Sequence, residues 1–256
     1  MSSTKNPIGS GPLPPILKVP LLITNAILIF RSFTPPEKPP LARERKRVEP
    51  APGITLSRYP SVEKVRRGFK VASMIFFCGI SLIEAALILW YHSSWIYLAY
   101  VPRSMLPFVR LGSLGLSPGA LAGCLLTVVG GLLRTRSYRE LGRLFTYELS
   151  IRDNHKLITM GPYSIVRHPS YLGVFILMVG NITLLTSKGS WFVESGLWDT
   201  YWGRRIGCSA AGFFLFTALR LFLRVDEEDR MMRKEFGEEW ERWAKKTRYR
   251  LIPFVY

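Results

Sequence analysis

Histidine, cysteine and acidic residues are all scarce in this 256-residue chain, with 3 His, 3 Cys and 18 Asp or Glu against 35 Lys or Arg. The cysteines, Cys78, Cys124 and Cys208, fall inside apolar runs. They read as small buried hydrophobes, which excludes a disulfide framework or a zinc site. The histidines show no ligand spacing either, so no metal is expected. The shortage of acid leaves a formal net charge of +17. Nucleic acid is the first partner such a charge suggests, but no nucleic-acid-binding motif accompanies it. Residues 1–15 lack the basic n-region of a cleavable signal peptide, and nothing at the C-terminus resembles a prenylation or retention signal.

What the chain does have is long apolar runs with the basic residues placed between them. A helix needs about 20 apolar residues to cross the hydrocarbon. Five runs come close, at 16–30, 69–90, 117–133, 171–187 and 206–223. The first carries Lys18, which is expected to snorkel to an interface. Glycines recur in the last three runs, so those helices are expected to form a compact bundle. Lys and Arg number 1, 2 and 3 in segments 1–16, 91–116 and 188–205, against 11, 7 and 9 in segments 31–70, 134–170 and 224–256. The positive-inside rule puts the second set in the cytosol, with the N-terminus lumenal and the C-terminus cytosolic.

The fold class is therefore all-α, a polytopic membrane bundle of about five transmembrane helices. Residues 1–110 form an N-terminal membrane region with two spans, and 111–256 a core with three. Residues 34–60, rich in proline and charge, read as an extended cytosolic loop. Residues 94–109 read as re-entrant or interfacial, because Pro102 and Pro107 interrupt them. Trp191, Phe192, Trp198, Tyr201 and Trp202 form an aromatic belt. The sequon Asn181-Ile182-Thr183 lies inside the fourth span, where its Asn and Thr are expected to bond between helices.

Two motifs carry polar chemistry at the cytosolic ends of the spans. The first runs from His155-Lys156-Leu157-Ile158 through Gly161-Pro162-Tyr163 to Arg167-His168-Pro169-Ser170-Tyr171. Pro169 suits the first position of the fourth helix and pushes His168 toward an extended conformation. The N–H groups beside Ser170 and Tyr171 would then offer a place for a carboxylate or phosphate. In the second motif, Arg224 and Glu228 stand four residues apart and share a helix face. That helix is expected to continue to about Thr247 as an amphipathic cytosolic segment, with Met232, Phe236, Trp240 and Trp243 on its apolar side. Singly, each group has a plainer reading: Arg167 as a charge anchor, Tyr163 and Tyr171 as belt residues, Arg224 and Glu228 as a helix-stabilising pair. Their coincidence favours a site.

These two blocks, with Phe236-Gly237-Glu238-Glu239-Trp240 after the second, resemble the isoprenylcysteine carboxyl methyltransferase family over about the last hundred residues. The resemblance implies S-adenosylmethionine as methyl donor and prenylated protein C-termini as acceptors, in the endoplasmic reticulum membrane and in contact with its lipid. It also implies that His155, Lys156, Leu157, Ile158, Tyr163, His168, Pro169, Ser170, Tyr171 and Glu228 contact the cofactor. Arg224 would meet the acceptor carboxylate and act with Glu228 as the catalytic pair, Asp226 and Glu227 leaving the choice of acid open. A prenylcysteine carboxylate is ionised near neutral pH and needs a cation, not a base, which suits arginine. The alternatives are a phospholipid N-methyltransferase of the phosphatidylethanolamine type, and a non-catalytic membrane scaffold. A sterol reductase would show Asn-Tyr-x-Gly-Asp where this chain has Ser170-Tyr171-Leu172-Gly173-Val174.

Overall fold

The computed structural model describes residues 14–34, 44, 60–92, 113–147 and 149–255, with only the backbone of 60–67 and 69. The expectations for 1–13, for most of the 34–60 loop and for 94–109 lie outside these residues. Every regular element among the described residues is helical. The principal helices are α1 (Lys18–Phe33), α2 (Pro60–His92), α3 (Pro118–Leu141), α4 (Pro169–Thr186), the short α5 (Trp191–Glu194), α6 (Tyr201–Phe236) and α7 (Glu238–Lys246). Five helical segments are long and apolar enough to cross a membrane, and they fall on the five expected runs.

Helix starts follow their capping residues. The Ser117 hydroxyl accepts from the Ala120 N–H at 3.2 Å ahead of Pro118, and the Thr200 hydroxyl accepts from the Gly203 N–H at 3.0 Å. Both satisfy a donor that a helix N-terminus otherwise leaves free.

The centre of the bundle is the α3–α4 pair, whose backbones touch. A Cβ on Gly130 would lie 2.4 Å from the Leu177 nitrogen, and one on Gly180 would lie 2.6 Å from the Thr127 nitrogen. Only glycine permits that approach. α1 packs against the same pair, with Leu28 against Gly131. The expected three-helix glycine bundle holds for α3 and α4 but not for α6. Gly212 has nothing within 4 Å, and Gly207 faces the Trp198 ring. α6 presents Leu215, Phe216 and Leu219 outward, and Cys208 with them, so of the three cysteines expected to be buried only Cys124 is fully so, Cys78 being half-buried.

Two further expectations are corrected by burial. Lys18 does not snorkel: it is fully buried, ion-paired with Glu84, and donates to the Gly189 carbonyl at 3.0 Å. A lysine with a carboxylate within reach gains more from pairing than from stretching to water. Asn181 does bond between helices, accepting from Asn25 Nδ2 at 3.1 Å, and Asn25 also donates to Ser81 at 2.9 Å. Thr183 instead donates to the Val179 carbonyl of its own helix.

Candidate functional site

At the other end of the bundle, α3, α4 and α6 surround a cleft with about 1130 Å³ of empty space, the part open to solvent included. α4 opens at Pro169, and the residue before it, His168, sits at φ −123° and ψ 60° as the proline requires. The preceding segment turns at Gly161–Ser164 and brings Tyr163 into the wall. α6 runs beyond the apolar stretch, so Arg224 and Glu228 project into the same space.

His155, Lys156, Leu157 and Ile158 all line the cleft. So do Tyr163, His168, Ser170, Tyr171, Arg224 and Glu228. Pro169 does not: it is fully buried behind the wall and acts as the helix start. The helix N-terminus is not the open anion site expected, because the His168 carbonyl already accepts from the N–H groups of Tyr171 and Leu172 at 3.1 and 3.2 Å.

The ionic arrangement centres on two neighbouring carboxylates of α6. Glu228 accepts from the Tyr171 hydroxyl at 2.6 Å, and its Oε2 lies 3.6 Å from His168 Nδ1. Asp229, which the sequence reading passed over, lies 2.9 Å from His168 Nε2 and 2.9 Å from Arg167 Nη1. Arg167 is thus a structural partner and not a free surface anchor. Asp226 points elsewhere, to Arg250. Of the acidic run, Glu228 and Asp229 line the cleft, which removes Asp226 and Glu227 from its wall.

Burial pulls the His168 imidazolium toward neutrality, but its hydrogen bonds to Asp229 and Glu228 outweigh that and raise its pKa above the ordinary value. It is a bridging cation between two carboxylates. Burial holds His155 below the usual histidine value despite Glu235 and Glu228. Its ring meets Phe236 edge-on at 5.7 Å. Burial, reinforced by Glu228, also pushes the Tyr163 phenol well up, so it stays a neutral hydroxyl.

The helix after the second motif does not run unbroken to Thr247. It breaks at Gly237, where φ is +51°, a left-handed value that glycine adopts without steric cost. The break turns α7 back onto the cleft. Trp243 Nε1 donates to the Tyr163 carbonyl at 3.2 Å, and Trp240 is buried in the cleft wall. The apolar side of the amphipathic segment is therefore docked, through Trp240 and Trp243, against the first motif at the end of the bundle. The chain then returns as a strap, with the N–H groups of Arg167 and His168 donating to the carbonyls of Tyr249 and Arg250 at 2.9 and 2.8 Å.

Sequence reasoning also missed Arg134, which counted only as juxtamembrane charge. It is 6% exposed and lines the cleft. No sequence signal marked it, because a cation directly after an apolar run is what the positive-inside rule expects in any case.

Residues 122–234 match the sequence model of the isoprenylcysteine carboxyl methyltransferase family. The matched residues contain both motifs and the α6 carboxylates. Over 135 residues the chain is 30% identical to a "Probable protein-S-isoprenylcysteine O-methyltransferase" of Oryza sativa subsp. indica, covering 52% of this chain and 60% of that protein. The protein-S-isoprenylcysteine O-methyltransferase of Saccharomyces cerevisiae is 33% identical over 98 residues, 37% of this chain and 41% of the yeast protein. A Delta(14)-sterol reductase of Mus musculus is 26% identical over 175 residues, 64% of this chain and 37% of that protein. The aligned segments thus span 60% or less of these relatives' own lengths.

Proposed function

We propose that this chain transfers a methyl group from S-adenosylmethionine to the C-terminal carboxylate of prenylated cysteine in proteins. The observation that carries the reading is the convergence of both sequence motifs on one cleft, with Arg224 and Glu228 in the same wall. Arg224 donates to the Tyr147 carbonyl through Nη1 and keeps its buried Nε without a partner, a donor suited to an acceptor carboxylate.

The cleft also suits the methyl donor. Glu228 offers a carboxylate to an ammonium group, Tyr163 and Tyr171 offer ring faces to a cation, and the buried Trp240 Nε1 is a donor still without a partner. His155, Lys156, Leu157 and Ile158, with His168 and Ser170, complete the walls around it, and Pro169 sets the helix start behind them. The bound cofactor supplies a methyl group on a positively charged sulfur. The protein's part is to orient the carboxylate, exclude water and hold the charges in place. No proton is removed from an ionised carboxylate. That agrees with His168, which is engaged as a cation between Asp229 and Glu228 and is a poor base. Amine methylation of a phospholipid headgroup would need a proton acceptor, which makes it the weaker reading.

The five apolar helices support a multi-pass membrane protein. The charge distribution supports a lumenal N-terminus, a cytosolic C-terminus and a cleft facing the cytosol, and the family resemblance supports the endoplasmic reticulum.

Membranes containing the chain, supplied with labelled S-adenosylmethionine, should place base-labile label on a farnesylated cysteine analogue and none on phosphatidylethanolamine. Arg224→Ala and Glu228→Ala should each reduce transfer by about 10²- to 10³-fold. Label on the lipid alone would overturn the reading.

A further inference from the structure

We infer that Arg134 is a positioning residue for the cleft, and that through it α1, outside the matched family region, sets the geometry of the site. The functional side of this inference rests on the proposed methyl transfer. The structural side does not.

Arg134 sits in the last third of α3, 6% exposed, and every nitrogen of its guanidinium is engaged. Nε donates to the Ser32 carbonyl in the last turn of α1 at 2.8 Å. Nη1 donates to the Ser170 carbonyl at 3.1 Å and to its hydroxyl at 3.0 Å, in the first turn of α4. Nη2 donates to the Tyr147 hydroxyl at 3.4 Å. The Tyr147 hydroxyl donates in turn to the Ser32 carbonyl at 3.0 Å, and the Tyr147 carbonyl accepts from Arg224. One planar cation therefore fixes the end of α1, the start of α4 and the segment that holds Arg224.

A merely structural buried arginine would have partners remote from any cavity. Here Ser170 and Tyr147 are themselves cleft residues, and Tyr147 touches the group expected to meet the acceptor. The fork matters as much as the charge. Lysine has one compact ammonium and cannot reach three separated acceptors in a plane. Arg134→Lys should then leave the charge in place while Ser170, Tyr147 and Arg224 drift. A misplacement of about 1 Å is enough to cost on the order of 10²-fold in rate.

The experiment compares Arg134→Lys, Tyr147→Phe and Asn25→Ala. Asn25 belongs to a buried polar network midway along α1, away from the cleft lining, and serves as the structural control. Three readouts are taken on purified full-length protein: thermal melting, kcat and KM for both substrates, and the rate of tryptic cleavage at Arg152 and Lys156. Arg134→Lys should lower kcat by about 10- to 100-fold with each KM within about threefold, and should speed cleavage. Tyr147→Phe should move both in the same direction by less. Asn25→Ala should lower the melting temperature while kcat of the folded fraction and cleavage stay near wild type. If Arg134→Lys keeps wild-type kcat and cleavage, or matches Asn25→Ala at equal loss of melting temperature, the inference is overturned. A wild-type protein that methylates no prenylcysteine overturns the proposed function alone. The cleavage rates then decide whether Arg134 holds the segment.

Discussion

Toward the end of the bundle carrying Gly189, Lys18 is matched to Glu84 and the Gly189 carbonyl, and Asn25 to Ser81 and Asn181. At the cleft end, Arg134, His168 and Asp229 are buried and Arg224 and Glu228 are half-buried, and Arg224 Nε and Trp240 Nε1 keep donors without partners. Both ends place expensive groups in a low-dielectric setting. The first leaves a small gap among Ser81, Glu84 and Asn181, about 260 Å³ of empty space against about 1130 Å³ at the cleft. The second arranges them around a space large enough for a ligand. Polar residues in membrane spans thus do two jobs, and the diagnostic is the space they surround, since the first end too keeps an unpaired atom in Asn25 Oδ1.

The sharpest way to break the comparison is to uncouple the first end. Lys18→Ala leaves Glu84 buried without its cation, and should destabilise the protein by about 3–5 kcal/mol. Lys18→Met combined with Glu84→Leu should recover most of that. Thermal melting in detergent measures both, and a double variant no better than the single one would mean that the pair does not act as a unit.

A smaller effect is expected at the glycine contact that both ends share. Gly130→Ala puts a methyl 2.4 Å from the Leu177 nitrogen, where no side chain can yield. The helices must separate, at about 1–3 kcal/mol. The same change at Gly212, which has open space around it, should be neutral or slightly stabilising. Equal losses at the two sites would contradict the contact.

The smallest effect belongs to pH at the cleft end. His168 has a folded-state pKa raised above its unfolded value of about 6.5. The stability it contributes is complete below that unfolded value and is lost as pH rises through the folded one. Wild type should therefore lose more melting temperature than His168→Gln between about pH 6.5 and 9. Parallel curves would show that the imidazolium bridge carries no weight.

Much of this division was legible in the chain. Hydropathy and the placement of Lys and Arg located the five helices, because apolar length is a direct physical requirement of crossing a bilayer. Pro169 announced the start of α4, and nearly all the residues of the two motifs reached the cleft. Pairing was harder to read. Lys18 with Glu84, Arg134 with Ser32, and Asp229 with Arg167 all join residues more than 60 positions apart in sequence. Local pattern cannot show which distant carboxylate meets which cation. Each charge was accordingly assigned to water, the cheaper local choice. The break at Gly237 was visible only as a glycine, and its effect, turning Trp243 onto Tyr163 and Trp240 into the cleft wall, depends on the tertiary partners they find.

The backbone-to-backbone contact of α3 and α4 also sets what substitution can alter. Where two main chains touch, no side chain is available to enlarge, shrink or recharge, so that seam offers nothing to tune. Any shift in acceptor preference within this architecture has to be written elsewhere: in α6, whose outer face is free, in α7 beyond the Gly237 joint, or in the segment around Tyr147. A mutational library aimed at a new acceptor belongs on those three elements, with the glycine seam held fixed as the frame.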